Sequence, residues 1–274
     1  MNQEIEGAEA VASGRAGGDG YQGLRVMISA GGSGIGLAIA QAFVQHGARV
    51  HISDIAPAAL AAACDALPGI GACLADASDP AAVEHWFDVA QTALGGLDVL
   101  VNNACIAGPT AAITEIEPAQ WDAVMAVNLR SQYLCVRQAV PALRRSGRGA
   151  IINLSSVAGR LGYPLRTPYA ASKWAVVGLT QSLALELGGD DITVNAILPG
   201  VVDSERSRTV TAAKAQARGI SLAEQEAGIL DRIALHRKVP LQDVAQTALF
   251  LASPAGRSFT GQNFNVCAGI QTLI

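Results

Sequence analysis

The chain is poor in charge. Only 15% of its 274 residues are Asp, Glu, Lys or Arg, while half are hydrophobic. Globular proteins average about 25% charged residues. Wholesale disorder needs the opposite balance of high charge and low hydrophobicity, so it is excluded. The charges sum to −4, with no basic excess to serve nucleic acid. No apolar run approaches the ~18 residues of a membrane span, and residues 1–20 lack the apolar core of a secretory signal. The cysteines (Cys64, Cys73, Cys105, Cys135 and Cys267) form no CxxC pair, and their odd number argues against a disulfide framework or zinc ribbon. The four histidines are scattered without ligand spacing, so no metal is expected. These absences lead us to expect a cytoplasmic protein with reduced thiols. Its partner is then a small molecule, with neither nucleic acid nor membrane.

What is present is glycine, 29 residues of it, and a regular alternation of patterns. Short apolar runs fall at 24–29, 49–53, 71–75, 97–101, 150–154, 193–198 and 263–266. Helical patterns lie between them at 35–46, 57–67, 79–94, 118–145, 168–187 and 242–252. Strand followed by helix, repeated, predicts an α/β fold with a parallel sheet covered on both faces. Such strands are buried on two sides, which accounts for the apolar composition. Residues 1–22, rich in Gly, Ala and acid, are expected to form a flexible tail. The rest, 23–274, is expected to be a single domain. A polar segment at about 203–238 carries Arg206, Arg208, Lys214, Arg218, Arg232, Arg237 and Lys238. It lies outside the predicted core and is a candidate lid.

The first apolar run leads into Ser29-Ala30-Gly31-Gly32-Ser33-Gly34-Ile35-Gly36, and a helix follows. Glycines between a strand and a helix allow a tight turn and a close approach to pyrophosphate, which rests on the helix N-terminus. Eighteen residues past Gly36, the second run ends at Asp54. An acid near that spacing hydrogen-bonds the ribose hydroxyls and repels a 2′-phosphate, which favours NAD over NADP. The other role open to Asp54 is a cap on the helix that begins near Pro57.

On these residues the sequence resembles the short-chain dehydrogenase/reductase family over about 24–270. The family fingerprint T-G-x-x-x-G-I-G appears with Ser29 for Thr and Ala30 for the first Gly; alanine fits there only with negative φ. N-N-A-G appears as Asn102-Asn103-Ala104-Cys105, Y-x-x-x-K as Tyr169 to Lys173, with Ser156 thirteen residues earlier, and Asn128 sits in Val127-Asn128-Leu129. Ser155, adjacent to Ser156, points the other way if the strand runs through both. Pro199-Gly200-Val201-Val202 and then Ser204 resemble the P-G-x-x-x-T clamp on nicotinamide.

The resemblance implies a doubly wound Rossmann-type domain with a seven-stranded parallel sheet, and a set of roles. Tyr169 is the general acid/base, Lys173 lowers its pKa and holds the ribose, Ser156 orients the carbinol oxygen, and Asn128 binds a water that relays protons. Asp76 and Ala77 border adenine. Ser29, Gly31, Ser33, Gly34, Ile35, Gly36, Asp54, Asn103, Ala104, Pro199, Gly200, Val202 and Ser204 complete the NAD contacts with Tyr169 and Lys173. A free phenol has a pKa near 10, so it serves as a base at neutral pH only beside positive charge.

The expected reaction interconverts a secondary alcohol and a ketone on a small polar molecule of sugar, polyol or hydroxy acid type. Two alternatives stay open: a 3-oxoacyl or other carbonyl reductase of the same family, and a non-catalytic NAD-binding sensor. Arg160, Tyr163 and Arg166 are polar candidates to border the substrate, with Ala104–Pro109 and the lid. The resemblance also implies a homotetramer, or a homodimer, built on the helices at 118–145 and 168–187, which carry Trp121 and Trp174.

Overall fold

Seven short runs of Val, Ile, Leu and Ala pair into one parallel sheet in a computed structural model of the chain, which describes residues 20–273. The strands are β1 (Arg25–Ile28), β2 (Arg49–Asp54), β3 (Gly71–Leu74), β4 (Val99–Asn102), β5 (Ala150–Leu154), β6 (Thr193–Pro199) and β7 (Asn263–Val266). Their order is β3-β2-β1-β4-β5-β6-β7. The chain builds outward from β1 in one direction, then returns and builds outward in the other. The reversal lies between β1 and β4, and a doubly wound sheet binds ligands at the carboxyl ends of the strands at that point.

Side chains alternate across the sheet as strand geometry requires. Val26 and Ile28 face one core with Val99, Val101 and Ile152, whereas Met27, Leu100 and Ile151 face the other. Helices α1 (Gly34–Gln45) and α9 (Leu241–Ala252) cover the first face, with α2 (Pro57–Ala66) beside them. Helices α3 (Pro80–Leu94), α5 (Ser131–Ser146) and α6 (Thr167–Leu187) cover the second.

Three details differ from expectation. Tyr21, placed in the flexible tail, packs on the body: its hydroxyl donates to the Leu249 carbonyl at 3.1 Å and its ring meets Phe43 and His46 edge-on. The remainder of that tail, residues 1–19, lies outside the described residues. The helix expected over 118–145 is divided into α4 (Pro118–Met125), a π-helical turn (Ala126–Arg130) and α5. In that turn the Ser131 N–H reaches back five residues to the Ala126 carbonyl. The lid segment contains two helices, α7 (Glu205–Arg218) and α8 (Leu222–Leu230). Ser204 and Ser221 cap them by accepting from the N–H groups of Ser207 and Glu224.

The amino edge of the sheet holds a buried ionic cluster. Asp98, just before β4, accepts from the Arg25 backbone N–H (2.9 Å) and from Arg25 Nε (3.0 Å) and Nη2 (2.7 Å). Ser146 Oγ at 2.6 Å and Arg148 Nη2 at 3.1 Å complete its shell. Burial pushes this carboxyl up, but the hydrogen bonds from Arg25, Ser146 and Arg148 outweigh it and hold it well below the usual carboxylate range.

Candidate active site

The carboxyl edge of the sheet collects the glycine-rich loop, Asp54, Asn103, Ser156, Tyr169 and Lys173. The glycine-rich loop leaves β1 and turns into α1. Gly34 has φ +55° and open space where a side chain would stand. Gly31, Gly32 and Gly36 are needed for close packing instead: added Cβ atoms there would run into Ile52, into Ala59 and Asp54, and into the Ala30 carbonyl and Asn103 amide respectively. Ala30 corrects the expectation of negative φ, for it sits at +50°. A left-handed alanine is strained by about 1–2 kcal/mol. Its carbonyl is held there by Asn103 Nδ2 at 2.8 Å.

Ser29 and Asn103 join this loop to the end of β4. Ser29 Oγ accepts from the N–H groups of Asn103 (2.9 Å) and Ala104 (3.0 Å), and Asn103 Nδ2 also donates to the Ser29 carbonyl at 3.1 Å. Ser33, at the N-cap of α1, makes no side-chain capping bond. The positive end of that helix therefore opens onto the edge of the sheet, as a pyrophosphate site requires. Asp54 is buried at the tip of β2, and its two oxygens accept from the Gly32 (3.0 Å) and Ala56 (3.1 Å) N–H groups. Each oxygen keeps a second lone pair for a hydroxyl donor, and the capping role is not taken: the N-cap of α2 is Ala56, without a side-chain capping bond, and Asp54 only closes the turn before it. Asp76 accepts from the backbone and hydroxyl of Ser78, which fixes the turn before Ala77. Pro199 ends β6. The next residue, Gly200, packs so closely on Cys267 that a Cβ there would lie 2.8 Å from its Cα. Val202 pairs with Val239. Ser204 spends its hydroxyl oxygen on capping α7.

Tyr169 and Lys173 share one face of α6. The ammonium is buried, donates to the Leu154 carbonyl at 2.8 Å, and lies 5.7 Å from the centre of the Tyr169 ring. Ser155 and Ser156 diverge as expected. Ser155 donates to the Lys173 carbonyl, whereas Ser156 Oγ accepts from the Ala158 N–H at 3.1 Å and stands near enough to the Tyr169 hydroxyl to lower its pKa. Asn128, on the π-helical turn, grips the Ile106 peptide from both sides, at 2.8 and 3.1 Å, and donates to Ser172 Oγ at 3.1 Å.

Burial drives the Tyr169 phenol well above the ordinary tyrosine range, the Cys105 thiol adds to the rise, and Ser156 only partly offsets them. Burial also lowers Lys173, against the opposing effect of Cys105. The ammonium donates to the Leu154 carbonyl on the Tyr169 side of α6.

Sequence reasoning did not foresee the part played by Cys105 or the depth of two cations. Cys105 stands where the family motif has Gly; its thiol donates to the Ile106 carbonyl at 3.5 Å and acts on the titration of both Tyr169 and Lys173. Arg166 is buried beside Tyr169, with its guanidinium carbon 5.2 Å from that ring's centre. Lys214 of α7 is buried with Nζ 3.9 Å from the centre of the Tyr163 ring. Nothing in a single sequence separates these two from the solvated cations around them. Arg208, Arg237 and Lys238, from the same segment, pair with Asp203, Asp243 and Glu226.

Comparison with known proteins agrees with this geometry. The model of a family described as enoyl-(acyl carrier protein) reductase matches residues 29–271. A probable galactose dehydrogenase of Rhizobium meliloti is 35% identical, across 89% of this chain and 94% of that protein. A D-beta-hydroxybutyrate dehydrogenase of Cupriavidus necator is 34% identical, across 90% and 97%. Among solved structures, an actinorhodin polyketide ketoreductase with NADPH superposes with a TM-score of 0.86 at 30% identity, covering 89% of this chain and 95% of that one. With the doubly wound sheet, the glycine-rich turn and the Ser156, Tyr169 and Lys173 cluster in place, the chain belongs to the short-chain dehydrogenase/reductase family of oxidoreductases.

Proposed function

We propose that this protein is a NAD-dependent dehydrogenase that interconverts a secondary alcohol and a ketone on a small polar molecule of the sugar, polyol or hydroxy acid type. The convergence of Ser156, Tyr169 and Lys173 at the carboxyl edge of the sheet carries this reading. The named relatives, a galactose and a hydroxybutyrate dehydrogenase, support the substrate class.

The residues divide the work by position. Ser156, beside the Tyr169 hydroxyl, orients the reacting oxygen and stabilises charge that develops on it. Tyr169 exchanges the proton of that oxygen. Protonated as it stands, it is poised to donate in ketone reduction and must lose its proton before it accepts one from an alcohol. Lys173 places a fixed positive charge beneath the ring. Asn128 fixes the Ile106 segment that borders the substrate, and this anchoring is the role its contacts support alongside the proton relay expected from the family. The nicotinamide supplies the hydride chemistry when bound. The glycine-rich turn, Asp54, Asp76, Ala77, Asn103, Ala104, Pro199, Gly200, Val202 and Ser204 would hold the rest of the cofactor. The preference for NAD rests on Asp54, whose carboxylate at the tip of β2 disfavours a 2′-phosphate.

The test is a screen of secondary alcohols that follows NADH absorbance, with Tyr169→Phe as control. Turnover of at least one polar alcohol, abolished by the substitution, is expected; undiminished turnover in the variant overturns the assignment. Tighter binding of NADP than of NAD would overturn the role of Asp54. We also propose a homotetramer or homodimer formed through α5 and α6, where Tyr133 and Trp174 stand about half exposed. Sedimentation of the purified chain tests it.

A further inference from the structure

The loop before α6 turns an arginine inward. Leu165 takes φ +63°, a conformation that L-residues adopt at a cost, and Arg166, the N-cap of α6, is only 2% exposed. Its terminal nitrogens donate to Thr110 Oγ1 at 3.2 Å and to the Ala107 carbonyl at 2.6 Å. The Leu165 carbonyl accepts from the Ala111 N–H at 3.0 Å. These bonds fasten the segment 107–111, which follows β4, to the start of α6. Arg166 was expected to border the substrate, yet both of its terminal nitrogens are committed to the chain.

The same guanidinium reaches Tyr169. Arg166 precedes that residue by one turn and Lys173 follows it by one turn, so all three fall on one face. The guanidinium carbon lies 5.2 Å from the centre of the Tyr169 ring and 5.7 Å from that of Tyr163, and the two rings meet edge-on at 6.4 Å. A buried cation is attracted to aromatic faces, and a planar guanidinium held by two acceptors presents them with a fixed surface. The near end of the segment is tied to the backbone of the same tyrosine. Asn128 holds the Ile106 peptide and donates to Ser172 Oγ, which in turn donates to the Tyr169 carbonyl at 2.7 Å. Asn128 thus fixes where Tyr169 sits on the helix, and Arg166 fixes where its ring points.

We propose that Arg166 is a positioning residue for the reaction: it joins the Tyr169 ring and the 107–111 segment into one unit, so that the wall beside the substrate keeps its distance from the phenol. This deepens the proposed function and rests on its assignment of Tyr169. The hydroxyl stands at the end of the ring farthest from the backbone, so a small tilt carries it far. A misplacement of about 1 Å costs about a hundredfold in rate.

The test uses the full-length protein in two assays. The first follows oxidation of 3-hydroxybutanoate and of galactitol under NAD. Arg166→Met should lower kcat about a hundredfold with KM for NAD little changed. Arg166→Lys, which keeps a cation against the rings but not the fork, should lose only about tenfold. In a Tyr169→Phe background the same Arg166→Met change should cost less than about twofold, because the group it positions is already gone. A merely structural role would cost the same factor in both backgrounds. The second assay measures hydrogen exchange by mass spectrometry on the protein alone. Arg166→Met should speed exchange about tenfold in 106–111 and in 163–169 together. Thr110→Val removes one acceptor and leaves the arginine in place; it should speed both segments about threefold, and it keeps the test open if Arg166→Met does not fold.

A kcat in Arg166→Met within about threefold of wild type, a full loss in the Tyr169→Phe background, or faster exchange in 106–111 alone overturns the proposal. The two readings fail separately. Oxidation that depends on Tyr169 but not on Arg166, with exchange unchanged, removes the positioning role and leaves the dehydrogenase. Exchange that rises in both segments, with no alcohol oxidised, removes the dehydrogenase assignment and leaves the coupling of ring and segment standing.

Discussion

The two edges of the sheet bury charge in opposite ways. At the amino edge, Asp98 accepts from two arginines, a hydroxyl and a backbone N–H, so every strong interaction it can make is made within the chain. At the carboxyl edge, Lys173 and Arg166 donate to backbone carbonyls and a threonine hydroxyl, and Arg166 retains an unmet donor. The same strands thus run from a saturated ionic cluster to an unsaturated one. Saturation holds β1, β4 and the start of β5 in register; incompleteness leaves the other edge able to receive a ligand. The comparison teaches that buried charge is informative about function when its partners are neutral or missing, and about stability when they are not.

Five experiments press on this contrast, beginning with the largest effect. Tyr169→Phe should cost about a thousandfold in turnover with little change in melting temperature, because it keeps the ring and removes one hydroxyl from the reaction site. Asp98→Asn should do the reverse. Removing one member of a buried ion cluster costs about 3 kcal/mol of stability, measured by denaturant unfolding, and turnover per folded molecule should hold. If activity fell with either change and stability with both, the division between the edges would be lost.

The same aspartate has a pH signature. Its carboxyl is depressed in the folded state, so the stability it confers is present above the ordinary carboxylate range and is lost as pH falls through and below it. Acid unfolding should therefore begin at higher pH in Asp98→Asn, with less further loss toward low pH than in the wild type. The tyrosine should show the opposite trend. Because its phenol is raised, alcohol oxidation should climb about tenfold per pH unit across the neutral and mildly alkaline range, while ketone reduction stays flat. A plateau in oxidation near pH 7, measured with cofactor at saturation, would show that the bound state overrides the burial of Tyr169. Smallest is Ala30→Gly. Relief of a left-handed alanine should add about 1 kcal/mol and raise the melting temperature by about 2 °C; no gain would mean the Asn103 bond fixes the turn regardless of residue.

Much of this architecture was legible in the sequence. Strand followed by helix gave the parallel sheet, and all seven strands fall within two residues of their apolar runs, because a strand buried on both faces has few ways to hide in a sequence. The spacing of Tyr169 and Lys173 follows from one helical turn and that of Asp54 from a strand end, whereas Ser156 and Asn128 were legible only through the resemblance to the family's motifs. Three features could not be read. The sign of φ at Ala30 depends on a hydrogen bond from Asn103, seventy residues away. The separation of buried Arg166 and Lys214 from Arg208 and Arg237 depends on how the lid folds against the Tyr163 loop. The high pKa of Tyr169 is a property of its cavity and not of its neighbours in the chain.

The π-helical turn at 126–130 carries a consequence of its own. A regular helix advances about 100° per residue, so one extra residue in a turn rotates everything after it by that angle. Here the rotation lets α4 pack toward α6 while α5 lies on the sheet, with Asn128 at the change of phase. Deleting a single residue in 126–130 would restore an ordinary helix and swing Leu134, Cys135 and Ala139 off the core they fill. Asn128 apart, this stretch should thus accept changes of side chain yet reject any change of length, so that during divergence its residue count is held more firmly than the composition around that asparagine.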